Sequence, residues 1–363
     1  MRSDDDRILD FINDGISKLA EEDPDRPIDE IRDEIFKQLL PEVRSICPEL
    51  SKEIDAGVKS IRISRTEDSA RISKATLQEN AIVFERAESL IACAELINRR
   101  LLDAFSTSDE VIKYVRSDDG SNMVQGNTLK LLMLLSMQGR ICTLSSETVT
   151  LLKSGFLEGT FARQRTMYET VVILAVIGRG GPEIAERYQA YAAFEHLAEL
   201  NALDHPESIL IHDYSESDRQ ETEEQVRWGI QKYGDSIKRP YEWAKPLLPE
   251  KKGRIHFSDL DELITNFSIK GIYLTGNYGI HSGPFATINN VKFDRRYPFN
   301  SGPERIENEA VRNIIHVMSI LLAVSVDNAS RAATALLACL REVVPLGILD
   351  ELHEDLIREI SDL

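Results

Sequence analysis

The chain has four cysteines in 363 residues, Cys47, Cys93, Cys142 and Cys339, and they are scattered. There is no CxxC and no histidine at metal-ligand spacing from any of them, which excludes a disulfide framework and a zinc site. Most sit in apolar helical stretches, where a thiol acts as a small hydrophobe. Long apolar runs are missing as well. The longest, Val171–Gly178 and Val317–Val326, fall short of the ~20 residues that a membrane-spanning helix needs. The first residues, Met1-Arg2-Ser3-Asp4-Asp5-Asp6, are acidic and lack the apolar core of a signal peptide. These absences predict a cytoplasmic protein that does not engage a membrane. Basic charge is also in deficit, with 43 Lys and Arg against 61 Asp and Glu and a net charge of −18. Such a surface repels phosphate backbones, so nucleic acid is expected only through a local basic pocket.

Familiar catalytic signatures are absent too. No GxGxxG follows a strand pattern, and no GxxxxGK[ST], HExxH, GxSxG or EF-hand loop occurs. The ordinary nucleotide-binding, metalloprotease and hydrolase classes therefore drop out, and no metal or cofactor is expected. No repeat of 20–50 residues is evident, which excludes a solenoid.

What is present is helical periodicity. Aromatic residues are only 7% of the chain while alanine and leucine abound, a composition that favours helices over sandwiches or barrels. Apolar residues recur at helical spacing over 7–20, 76–105, 129–152, 156–177, 183–203, 216–233, 259–276, 304–338 and 343–360. A second helix should run from Pro27 to about Leu40, with Pro41 and Pro48 as breaks, and 49–75 reads as a helical arm. Gly178-Arg179-Gly180-Gly181-Pro182 is a strong stop. The expected fold is all-α, a multi-helix bundle, with residues 285–299 compatible with a short β arm. The loop at Ser117–Asn122 suggests a helical N-terminal region over 1–120 and a helical core domain over 121–363.

Two polar segments are poorly explained by packing alone. Arg163-Gln164-Arg165-Thr166-Met167-Tyr168-Glu169 interrupts an otherwise apolar helix, and Arg165 and Glu169 stand one turn apart on a shared face. Either they form a surface pair of small energy, or a partly buried pair whose desolvation has to be offset. The second segment, Tyr273–Pro284, ends a helix with Asn277, Tyr278, His281 and Ser282. A histidine there lies near the negative end of the helix dipole and can serve as acid, base or cap. Arg312-Asn313-Ile314-Ile315-His316 approaches the HEPN ribonuclease signature, in which four to six residues separate the arginine from the histidine. Here there are three, and a polar pair on one face of an apolar helix is the favoured reading.

Together these segments resemble the bacterial family called domain of unknown function 5677. The residues that carry the resemblance are Arg165 and Glu169 in RTMYE, Tyr188 and Tyr191 in ERYQAYAAFEHLA, and His281-Ser282 in YLTGNYGIHSG. Asn277 stands where the family pattern leads one to expect a serine. The resemblance spans about 125–335 and implies a helical protein from bacterial mobile or defence loci. The expected role is a regulatory, sensing or assembly component that works with a protein partner or a second copy. A metal-independent ribonuclease is the alternative, with Arg165, Glu169 and His281 as catalytic groups. A small-anion sensor anchored on Arg165 is a third. Arg163, Tyr188, Tyr191, Asn277, Tyr278 and Ser282 complete the candidate binding residues.

Overall fold

The computed structural model describes residues 4–24, 26–106, 126–205, 214–264, 303–337 and 343–361. All of the secondary structure described there is helical, and the fold is all-α. The β arm expected over 285–299 lies outside the described residues. The contacts divide the chain into two units, Met1–Arg71 and Ile72–Leu363. The boundary expected near residue 120 falls outside the described residues.

In the first unit, α1 (Asp4–Glu22) is followed by the Asp23-Pro24 break. Helix α2 (Ile28–Ile46) begins just after Pro27, with Asp29 and Glu30 in its first turn near the positive end of the dipole. It runs through Pro41 instead of ending near Leu40. A proline removes one N–H from the ladder, but a packed face holds the helix: Ile31, Ile35 and Leu39 are all buried. Helix α1 packs on α2. Helix α3 (Pro48–Glu79) is one continuous helix despite its weak periodicity.

Helix α4 (Ala81–Ser106) follows after a break at Asn80, whose side-chain amide donates to the Thr76 carbonyl at 3.2 Å and to Asn308 at 2.9 Å. The second unit continues with α5 (Gly126–Lys153), α6 (Leu157–Arg179), α7 (Pro182–Leu203) and α8 (Glu216–Tyr233). Two 3-10 turns come next, Asp235–Lys238 and Glu242–Leu247. Helices α9 (Phe257–Ile264), α10 (Asn308–Leu337) and α11 (Val343–Ser361) complete it. Helix α10 packs against α4, α5, α6 and α11; α5 lies along α6, α8 along α7, and α9 along α6. The length and apolarity of α10 over Asn308–Ala333 would also suit a membrane span, but half of that stretch is buried within the protein.

Local chemistry sets the joints. Gly155 takes a φ of +79° between α5 and α6, and its carbonyl accepts the Glu304 N–H at 2.9 Å. A Cβ at Gly155 would lie 2.6 Å from the Glu304 carbonyl oxygen, so only glycine fits under this strap. At the end of α6 the Gly180 N–H returns to the Val176 carbonyl. Lys130 then donates to the carbonyls of Gly178 at 2.8 Å and Gly180 at 2.7 Å. Carbonyls left open at a helix end thus gain a cation. Pro182 opens α7, and a reciprocal Ser215–Asp218 capping box opens α8.

Candidate functional site

Helix α6 turns three consecutive polar or charged positions, Arg163, Gln164 and Arg165, in different directions. Arg163 reaches Glu147 of α5 at 3.2 Å, with both side chains near half exposed. Gln164 is buried and donates its amide to the Ile314 carbonyl of α10 at 2.7 Å. Arg165 Nη2 meets Glu169 Oε1 at 3.1 Å, with side chains 14% and 31% exposed. That intermediate burial lies between the two sequence-based alternatives. The pair is shielded enough to be strengthened over a surface pair, and Glu169 keeps some contact with water.

One turn below Arg165, Tyr168 is buried and donates its hydroxyl to the carboxylate of Asp261 on α9. Asp261 is itself only 4% exposed. Burial first, and then the Asp261 carboxylate, push the Tyr168 phenol well above its ordinary range. The Tyr168 ring meets Phe257 edge-on at 6.0 Å, and Phe257 lies 6.2 Å from the ring of Tyr241. Arg179 anchors the far end of α9 by donating to the carbonyls of Leu263 at 2.5 Å and Ile264 at 3.2 Å.

Tyr188 and Tyr191 stand on α7, three residues apart. Tyr188 packs edge-on against the buried Trp243 at 4.9 Å. Burial pushes its phenol up, with Glu195 adding to the shift. The Tyr191 phenol is pushed up to about 12, again by burial first and then by Glu195 one turn along. Tyr241 holds a left-handed φ of +64°, the single positive φ at a non-glycine residue among the described residues. Such strain persists only where the surroundings hold it, here with the Tyr241 ring against Phe257. Phenols held this high stay protonated near neutral pH and act as fixed donors, not as acid–base groups.

The structure therefore joins Arg165 to Glu169, sends Arg163 to a separate ion pair, packs Tyr188 on Trp243, and brings Tyr241 and Phe257 into an aromatic line with Tyr168. Asn277, Tyr278, His281 and Ser282 lie outside the described residues. Tyr168 and Asp261 were missed as functional candidates. A signal for Asp261 was available: it sits four residues after Phe257 and three before Ile264, on the apolar stripe of α9. An acid on an apolar stripe needs a buried partner. Among the described residues, no group of three or more His, Cys, Asp and Glu is arranged to hold a metal.

Residues 131–297 match the sequence model of a family of unknown function, DUF5677. This part of the chain belongs to that family. The DUF5677 segment contains the Arg165–Glu169 pair, the Tyr168–Asp261 pair and the tyrosines of α7, while α10 and α11 lie beyond it. Comparison of the chain with curated proteins and with solved structures gives no match.

Proposed function

We propose that this protein is a regulatory, sensing or assembly component, and that its two polar pairs are specificity elements of the helical core and not a catalytic centre. The observation that carries the reading is the Tyr168–Asp261 bond. It joins α6 to α9 across 93 residues of sequence and is buried at both ends. Buried polar pairs do little for net stability compared with apolar packing, but they penalise every arrangement in which the partners do not meet. The Arg165–Glu169 pair points the same way. A catalytic or anion-anchoring arginine should offer its charge to a substrate, and here a carboxylate already holds it. The acidic charge of the chain favours a protein partner or a second copy over a polyanion. A setting in a defence or conflict system rests on the family resemblance alone.

The test compares the wild type with Glu169→Gln in two assays. Thermal unfolding followed by circular dichroism should show a lower midpoint for the variant. Incubation with RNA in the presence of a chelator should give no cleavage above the protein-free control for either chain. Metal-free RNA cleavage by the wild type that disappears in a Glu169→Gln protein of unchanged midpoint would establish the ribonuclease reading instead.

A further inference from the structure

In the first unit α2 packs on α1 and buries Ile31, Ile35 and Leu39. Helix α3 is tied to α2 by Arg44, whose guanidinium donates to both carboxylate oxygens of Asp55, at 2.6 and 3.0 Å. Around and beyond that tie, Ile54, Val58 and Ile61 recur at spacings of four and three and share one face of α3. They are 56%, 61% and 56% exposed. A lone exposed apolar residue is ordinary, but three in helical register mark a face that meets another surface. The same face continues to Ile72, and there it is covered. Ile72 is buried in the second unit, its Cγ2 2.9 Å from where a Cβ on Gly155 would lie.

Charge is divided along the same stretch. Glu49, Glu53 and Asp55 come first, with Lys52 already held by Glu49 at 2.9 Å. Lys59, Arg62 and Arg65 follow, and no acid occurs from 56 to 66. Such a run of cations stands out in a chain of net charge −18. Glu53, Lys59 and Arg62 form no ion pair among the described residues.

We propose that α3 pairs with α3 of a second copy, antiparallel, along the Ile54–Val58–Ile61 strip. Antiparallel pairing lays the acidic end of each helix on the basic stretch of the other, whereas a parallel pair would set cations against cations. With Val58 across from Ile61 of the second copy, Ile54 lies under the aliphatic stem of the second copy's Arg65. The same register sets Asp55 beside the second copy's Arg62, because residues seven apart stand on one flank of the helix. Two-fold symmetry repeats every one of these contacts. A helix whose charge reverses about the middle of its apolar strip is its own complement, which favours a second copy over an unrelated helix. Three apolar side chains and one stem per copy amount to less than the ~800 Å² per partner of a standard interface, so the dimer is weak and forms at micromolar concentration.

This inference rests on the assembly reading above and sharpens it to one contact, yet the two can fail separately. A monomeric chain that cleaves no RNA removes the second copy and leaves that reading. A dimer that cleaves RNA without metal removes that reading and leaves the pairing of α3.

The experiment is sedimentation velocity of the full chain from about 1 to about 200 μM, with a monomer–dimer equilibrium as the expected result. Val58→Glu should weaken association by roughly tenfold or more, and Ile63→Glu, on the opposite side of α3, should leave it unchanged. Both positions are exposed, so the unfolding midpoint at the lowest concentration should match the wild type. Orientation is read from two charge variants. Arg62→Glu alone sets acid against acid, and Asp55→Arg alone sets base against base, so each should dimerise on the order of tenfold more weakly. Mixed together, the two restore opposite charges at both contacts and should form a heterodimer of near wild-type affinity. A wild-type chain that stays monomeric throughout overturns the proposal and leaves the strip to a helix of another protein. A dimer indifferent to Val58→Glu overturns it as well, and so does a mixture of the charge variants that associates no better than either alone.

Discussion

Replacing Tyr168 with phenylalanine removes one oxygen and leaves the ring in place. The edge contact with Phe257 at 6.0 Å is retained, and the residue stays within its buried site. What is lost is the donor to the Asp261 carboxylate, in a place where Tyr168 is 2% and Asp261 4% exposed. A hydrogen bond to a carboxylate contributes about 1.5–3 kcal/mol, and a buried acceptor deprived of a donor puts the loss toward the upper end. For a unit of this size each kcal/mol corresponds to ~2–4 °C, so the midpoint should fall by about 3–12 °C. Urea and thermal unfolding of both proteins, followed by far-ultraviolet circular dichroism, measure this directly. The pH axis supplies an independent check. The folded-state pKa of the phenol is raised above its ordinary 10.0, so the unfolded chain loses this proton first as pH rises. The unfolded state then binds fewer protons, and wild-type stability declines with pH above about 10. That part of the decline should be missing from Tyr168→Phe. A variant with an unchanged midpoint and the same alkaline slope as the wild type would refute the role given to this bond.

Two further predictions follow from the joints of the fold and from a buried thiol. Gly155→Ala should destabilise the protein by about 2 kcal/mol or more, since it places a Cβ at a φ of +79° and 2.6 Å from the Glu304 carbonyl oxygen; denaturant unfolding reads the loss. Cys142 should resist maleimide in the folded protein and react once the chain is unfolded. Burial, the largest influence on it, pushes the thiol up to about 12, and only a thiolate attacks. Peptide mass spectrometry after timed labelling locates the modified cysteine, and rapid labelling of Cys142 in the native state would contradict its burial.

Local chemistry in the chain was enough to place most of the helices. The Gly178-Arg179-Gly180-Gly181-Pro182 stop predicts one helix ending near Ile177 and another starting near Glu183; the observed helices are Leu157–Arg179 and Pro182–Leu203. Where local signals conflicted with packing, packing decided. Pro41 reads as a break, yet α2 runs through it because Ile31, Ile35 and Leu39 are buried along one face. The charged stretch 49–75, read as a helical arm, does lie within one long helix from Pro48 to Glu79, of which only Ile72 and Thr76 are buried. Sequence reading of the site was narrower still. Spacing alone placed Arg165 and Glu169 on one face, because a helix determines the relation of residues four apart. It could not say how deeply the pair is buried, since that depends on what lies against α6.

The helices, their caps and the Arg165–Glu169 juxtaposition were thus determined by the sequence itself, through interactions that span no more than about one turn. Tertiary structure alone decided that Tyr168 finds Asp261, 93 residues away, and that Gln164 reaches the carbonyl of Ile314. The physical reason is that local hydrogen bonding and periodicity fix each helix, whereas the partner of a buried polar group depends on how the helices pack, and that information is spread over the whole core.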